Sequence, residues 1–415
     1  MTKRVYLTGG WGYGNKGDNA ILMAMLHTLN SGNTPLDLHL VSFSPDEMRR
    51  MHNLTGFPSI HSLLLREKKF YYFRRVAILI WQWTKEKFGK GIMLSYALRK
   101  HLKAMKAADI VIMGGGGYFN DAWEEALPAR LLEIEFASAT GTPLMLYGQT
   151  VGPFSEKNSR TILREAFKDV AYIAYRDAQS RRTLELAGVP EKCMSLTADE
   201  ANLILPIATK DDRNRYSVNS ENRLIGLMVQ NFRRHESPSG QSPQGQITED
   251  KVYYNQICDG LARISAIDSV SFLLIPSTTW DEKSCQHVMT ELQNRGIPNV
   301  KILQDPDTDT FVRACQSVDV MISTNMHPII LAATADRPSI ALSYHYKLDD
   351  YMESIGMAEN VARIDAFTGT WIVERYSAII DNIKAVQENI RNSHANVKAM
   401  AEANGQQLRN LLSQS

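Results

Sequence analysis

The chain has 415 residues, 44% of them hydrophobic, and a formal net charge of +1 from 46 Lys+Arg against 45 Asp+Glu. That balance suits a globular protein long enough for two domains and gives no electrostatic support to a nucleic-acid partner. The cysteines Cys193, Cys258, Cys285 and Cys315 lack C-x-x-C spacing, which argues against a zinc knuckle or a disulfide framework.

The first predicted element is a strand, Val5–Thr8, with no signal peptide before it, so the cytoplasm is the expected compartment. The strand breaks into Gly9-Gly10-Trp11-Gly12-Tyr13-Gly14-Asn15-Lys16-Gly17-Asp18-Asn19, and an apolar run of helix formers resumes at Ala20. Strand, glycine loop and helix in this order make a cradle for a phosphate or carboxylate, because glycines admit a ligand to the backbone and first-turn N–H groups attract anions. Gly12, Gly14 and Gly17 share the G-x-G-x-x-G spacing, yet Asn15, Lys16 and Asp18 stand where small or apolar residues are usual. No Walker Gly-Lys-Ser/Thr closes the loop, so a dinucleotide is poorly supported. The plain alternative is a tight turn in which Asp18 is an N-cap or first-turn acid.

Leu38–Ser42 follows as a second strand. From residue 66 to 106 the chain then carries twelve basic residues against only Glu67 and Glu86, interleaved with Phe70, Tyr71, Tyr72, Phe73, Trp81 and Trp83. Its apolar core, Val76–Trp81, is far shorter than the roughly 20 residues a membrane span needs. The pattern fits either a helix lying on an anionic membrane surface or a helical insertion with solvated lysines.

Continuous apolar runs at Ile110–Met113, Leu144–Tyr147 and Tyr172–Tyr175 predict buried parallel strands. They lead into Gly114–Gly117 and Asn120, into Gly148-Gln149-Thr150-Val151-Gly152-Pro153, and into Arg176-Asp177. Ligands gather at the carboxyl ends of such strands. Gly115, Gly116, Asn120 and Gln149 are therefore candidate binding residues, with tight backbone packing as the alternative for the glycines. Arg176 offers a guanidinium fork to a carboxylate or phosphate, or an ion pair to Asp177 or a neighbour. Asp199-Glu200-Ala201-Asn202 is a polar turn in which Asp199 or Glu200 is either a general acid or a helix cap.

A second strand series begins after Pro206: Leu224–Val229, Phe272–Ile275, Val300–Leu303, Val320–Ser323 and Ser339–Leu342. The Ser-, Pro- and Gln-rich stretch 232–250 reads as a mobile loop. Ser323-Thr324-Asn325-Met326-His327-Pro328 follows a strand and opens a helix, which places His327 near a helix N-terminus. There the dipole lowers its pKa and a bound anion raises it again. Such a histidine can exchange a proton near neutral pH, or it can simply cap the helix. Lys347, in Tyr344-His345-Tyr346-Lys347, follows the next strand and can serve an anionic donor. The expected fold class is α/β: two doubly wound Rossmann-like domains facing a cleft, at 1–206 (with the basic-aromatic insertion 66–106) and 207–370. Helices at 371–415 are expected to pack back over the junction. No spacing suggests a metal or a Ser/His/Asp triad.

Taken together, these residues resemble the polysaccharide pyruvyl transferase family. The matching motifs are Gly14-Asn15-Lys16-Gly17-Asp18, Gly114–Gly117, Gly148–Pro153, Tyr175-Arg176-Asp177, Ser323–His327 and Tyr344–Lys347, in a resemblance running from about residue 5 to about 360. It implies a fold like that of GT-B glycosyltransferases and transfer of pyruvate from phosphoenolpyruvate to two hydroxyls of a sugar, giving a cyclic ketal. The donor is a substrate and no cofactor is implied. The acceptor would be a polysaccharide or a lipid-linked repeat unit at the inner membrane face, where the 66–106 segment could bring the enzyme. In this scheme His327 is the acid, and Asp18 or Glu200 is the base. Gly12, Gly14, Asn15, Gly17, Arg176 and Lys347 hold the anionic groups. Asn325 stands where the family carries an arginine, so either the donor is held differently or the substrate differs. A nucleotide-sugar glycosyltransferase is the competing reading, since fold does not fix the donor. A non-catalytic sugar or nucleotide sensor is a third.

Overall fold

The computed structural model describes residues 2–32, 34–54, 56–65, 96–120, 126–152, 154, 157–230 and 250–414. The predicted loop at 232–250, apart from residue 250, and most of the basic-aromatic segment lie outside the described residues. The chain forms two compact units: Met1–Tyr13, Met25–Glu200 and Met400–Ser415 in the first, Gly14–Ala24 and Ala201–Ala399 in the second.

Among the described residues the first unit is built on an eight-stranded parallel sheet. Its strands are β1 (Lys3–Thr8), β2 (Leu36–Ser42), β3 (Gly56–Pro58), β4 (Ile110–Met113), β5 (Gly116–Phe119), β6 (Leu144–Val151), β7 (Tyr172–Tyr175) and β8 (Met194–Leu196). Their spatial order is β3-β2-β1-β4-β6-β7-β8, with β5 beside β6. Every residue of β4 and β6 is buried, as expected of strands covered on both faces. The order turns back between β1 and β4, where Thr8 pairs with Met113 and the Gly114 N–H donates to the Thr8 carbonyl at 2.7 Å. The loops after these two strands therefore leave the sheet side by side.

The second unit has β9 (Arg223–Met228), β10 (Val270–Leu274), β11 (Val300–Ile302), β12 (Val320–Ser323), β13 (Ser339–Ser343) and β14 (Val361–Arg363). The order β11-β10-β9-β12-β13-β14 is the 3-2-1-4-5-6 order of a Rossmann sheet, with its switch point between β9 and β12. Both sheets follow the predicted doubly wound pattern. At the C-terminus the expected helical stretch is two helices, Gly369–Asp381 and Ile383–Gln414, separated at Asn382.

Three local expectations change. The first helix spans Lys16–Asn30, so Gly17, Asp18 and Asn19 belong to its first turn and not to the loop. Two of the four glycines at 114–117 lie in β5. The strand predicted to stop at Tyr147 continues as β6 to Val151 through a register shift at Gly148, whose φ of +62° only glycine adopts readily.

Candidate active site

In the first unit the glycines make room for the protein's own aromatic rings. A Cβ on Gly9 or Gly114 would overlap the Trp11 indole, and one on Gly10 or Gly116 would overlap the Tyr118 ring. Trp11 is fully buried and its Nε1 donates to the Val41 carbonyl at 2.8 Å. The crevice that a ligand commonly takes between β1 and β4 thus holds an indole, which is a different reason for these glycines from the ligand approach expected above. Gly115 is buried here too. Gly12 has φ +78°, and a Cβ there would meet the Ser44 backbone nitrogen at 2.8 Å. Gly14, where the chain enters the second unit, has φ +87° and open space beside it.

Beneath this loop lies a polar cluster that no motif announced. Arg130, on the helix Ala126–Thr140, pairs with Glu133 at 2.6 Å, and its Nη2 donates to the Gly9 carbonyl at 3.0 Å. Thr8 Oγ1 donates to Glu133 at 2.9 Å, and the guanidinium carbon lies 5.0 Å from the Tyr118 ring centroid. Both side chains of the ion pair are buried. The available signal was an arginine and a glutamate one turn apart in a largely apolar helix.

The remaining first-unit candidates are also engaged. Asn120 Nδ2 donates to the Gly117 carbonyl at 2.5 Å. Gln149 Nε2 donates to the Met113 carbonyl at 3.0 Å and to that of Gly114, holding the turn after β4. Arg176 is ion-paired with Asp199 and donates from Nε to Thr150 Oγ1 at 2.9 Å, with 7% and 4% of the two ionic side chains exposed. The partner is Asp199 and not the adjacent Asp177, which caps the helix Ala178–Leu186 through the Ser180 N–H. Glu200 is buried. Tyr147 OH donates to its Oε1 at 2.8 Å and Asn404 Nδ2 to its Oε2 at 3.0 Å. Burial pushes its carboxyl up to about 7, against the lowering pull of hydrogen bonds from Thr28, Tyr147 and Asn404. With both oxygens so engaged, the geometry does not offer Glu200 as a base for a substrate hydroxyl.

In the second unit the candidates converge. The helix Met326–Ala333 starts directly after β12, with Asn325 at its N-cap and His327 in its first turn. Asn325 makes no side-chain cap; its N–H donates to Ser323 Oγ at 3.0 Å, and that hydroxyl donates to the Asn325 carbonyl at 2.7 Å. His327 is half-buried, and a Cβ on Gly17 would overlap its imidazole. The segment bearing Gly17 is anchored by the Lys16 N–H, which donates to the Ser277 carbonyl beyond β10 at 2.9 Å. Asn15 Oδ1 accepts from the Gly17 N–H at 2.9 Å and is the cap of this helix. Two of the first-turn donors expected to cradle an anion are therefore given to protein acceptors, while half-buried Asp18 faces the positive helix end from the first turn. Past β13, His345 Nδ1 accepts from the Lys347 N–H at 3.3 Å, which makes His345 the N-cap and puts Lys347 in the first turn of the helix Tyr346–Ser354. Beside them the Tyr344 phenol is pushed up to about 12 by burial, opposed by its hydrogen bond with Gln230 at the end of β9. His327, Lys347 and Gln230 all follow the carboxyl ends of their strands, and His327 and Gln230 flank the switch point.

A model of the polysaccharide pyruvyl transferase family matches residues 15–346. The chain belongs to this family. It is 21% identical over 411 residues to the amylovoran biosynthesis protein AmsJ of Erwinia amylovora, covering 93% of this chain and 94% of the relative. Its fold is similar to UDP-GlcNAc 2-epimerase of Neisseria meningitidis bound to UDP-GlcNAc, with a TM-score of 0.63 at 13% identity and 100% of each chain covered. It is similar also to Anabaena Alr3699/HepE in complex with UDP-glucose, with a TM-score of 0.56, 13% identity and 100% of each chain covered. At such identities the structural likeness establishes the GT-B-like α/β fold. Of the second-unit candidate site residues, all but Gly14 and Lys347 fall inside the family match, and those two lie just outside its ends.

Among the described residues no group of three or more His, Cys, Asp or Glu is placed to hold a metal ion, and no helix is long and apolar enough to cross a membrane. Of the basic-aromatic segment, the helix Tyr96–Ala107 is described. It buries His101 and Met105 and exposes Tyr96, Arg99, Lys100, Lys103 and Lys106, with Lys100 Nζ 4.9 Å from the Tyr96 ring centroid. A cavity of about 740 Å³ lies between this helix and the starts of β1 and β2, at the opposite edge of the sheet from the glycine loops.

Proposed function

We propose that this pyruvyl transferase family member moves pyruvate from phosphoenolpyruvate onto two hydroxyls of a sugar in an exopolysaccharide or its lipid-linked repeat unit. The observation that carries the reading is His327, half-buried at the switch point of a Rossmann-ordered sheet and packed against the Asn15–Asp18 motif. In the proposed reaction His327 gives a proton to the methylene carbon of the donor, and positive charge develops at the adjacent carbon. One sugar hydroxyl attacks that carbon, its bond to the phosphate oxygen breaks, and the second hydroxyl closes the ketal. Of the two hydroxyl protons, one returns to His327 and the other passes by way of Asp18 to the departing phosphate. Asp18 is the candidate base, and Lys347 with the open backbone beside Gly14 is the candidate holder of the donor's anionic groups. Preorganised charge of this kind is commonly the largest catalytic contribution. Arg176 and Glu200, whose polar groups serve Asp199, Tyr147 and Asn404, are left out of the reaction.

The test is phosphate release from phosphoenolpyruvate over a panel of lipid-linked and soluble glycosides. Acceptor-dependent release is expected, falling about a hundredfold or more in His327→Gln. Near-normal turnover in that variant would remove His327 as the acid. A second reading, glycosyl transfer from a nucleotide sugar, draws on the fold neighbours crystallised with UDP-sugars. Turnover of a UDP-sugar without any use of phosphoenolpyruvate would favour it. We further propose that the exposed basic stripe of the helix Tyr96–Ala107 contributes to contact with an anionic membrane surface carrying the acceptor.

A further inference from the structure

We propose that Gly17 is a positioning residue for His327: the absence of a side chain at residue 17 lets the imidazole lie against the first turn of the helix Lys16–Asn30. The inference rests on His327 acting as proposed above, but the packing it describes is testable without turnover. Gly17 is buried, and its φ is not in the left-handed region, so the backbone itself does not demand glycine there. It sits inside a helix, where alanine is the better helix former. The demand comes from the neighbour: a Cβ would overlap Nδ1, Cγ and Cβ of His327, the root of that side chain and not a flexible tip.

Neither side can easily give way. The turn bearing Gly17 is fixed by the Asn15 cap at 2.9 Å and by the Lys16 N–H to Ser277 carbonyl bond at 2.9 Å. His327 is fixed by β12 before it and by Pro328, Ile329 and Ile330 after it, all buried. Two helix N-termini thus meet at one imidazole, and a displaced ring would lose its aim. The neighbouring motif residues acquire a division of labour: Asn15 caps the helix and Gly17 seats the histidine.

The experiment is a double-variant cycle of Gly17→Ala and His327→Gly, which removes the residue-327 Cβ as well as the ring, read first by thermal unfolding. Gly17→Ala is expected to lower the melting temperature when His327 is present, and to leave it unchanged or raise it in the His327→Gly background. An equal shift in both backgrounds would overturn the packing, and this readout survives even if wild-type protein never releases phosphate. The second reading is the pH profile of phosphate release. At a temperature where Gly17→Ala is folded, kcat is expected to fall at least tenfold with the acidic limb displaced, while the acceptor KM stays within about threefold. A folded variant with wild-type kcat and pH profile would overturn the positioning role.

Discussion

Burial of Glu200 has a pH signature that separates a structural from a catalytic carboxyl. Its carboxyl is pushed up to about 7 in the folded protein from an ordinary value of 4.5, burial outweighing the hydrogen bonds from Thr28, Tyr147 and Asn404. Between those two values the folded state holds a proton that the unfolded chain has released, so stability falls as pH rises. The slope approaches about 1.4 kcal/mol per pH unit, and the accumulated loss by pH 8 is on the order of 3 kcal/mol. Glu200→Gln keeps the shape and an acceptor for Asn404 while removing the ionisable proton. Urea unfolding of both proteins at pH 5, 6, 7 and 8 provides the assay. The two are expected to match within about 1 kcal/mol at pH 5, to diverge steadily from pH 5 to 7 and to level off by pH 8, with the variant then the more stable by a few kcal/mol. Phosphate release is expected to be retained in the variant. A stability difference that stays flat from pH 5 to 8 would refute the argument, as would a Glu200→Gln protein that is folded but inactive.

Two further expectations follow from buried and exposed charge respectively. Arg176→Ala leaves Asp199 buried without its partner and should cost about 3–5 kcal/mol, whereas Arg176→Ala/Asp199→Ala should recover part of that loss. A double variant that is stable yet unable to bind phosphoenolpyruvate, measured by calorimetry, would return Arg176 to the donor site. Charge reversal of Arg99, Lys100, Lys103 and Lys106 should weaken co-sedimentation with anionic vesicles in a salt-dependent way, since roughly 1 kcal/mol per basic residue is at stake near such a surface. Unchanged sedimentation would rule the helix out as a membrane contact.

The core strands were legible because each is a continuous run of apolar residues bounded by glycine or polar residues. Ile110–Met113 and Tyr172–Tyr175 were expected with the bounds they have. The helix begins at Lys16, ahead of the apolar run at Ala20, as the first-turn reading of Asp18 allows, while Gly17 argues locally for a loop. Only its contact with His327 explains a glycine in a first helical turn. The strand past Tyr147 was hidden by Gly148, which reads as a turn but accommodates a register shift. The Arg130–Glu133 pair was invisible because burial of charge depends on which helix face meets the sheet.

By itself the sequence determined the alternation of buried strands and helices, and hence the two doubly wound sheets with polar residues gathered at their carboxyl ends. It also carried the motifs that place the chain in its family. Tertiary structure decided what each polar or glycine residue does there. Such residues have several partners open to them in one dimension, and only packing selects among them. Gly9 and Gly114 make room for Trp11, Gly17 makes room for His327, Arg176 is bound to Asp199, and Glu200 is closed off by Tyr147 and Asn404. The glycine loop that suggested an anion cradle is in part a seat for the protein's own rings, because a ring and a ligand ask the same thing of a backbone: no side chain in the way.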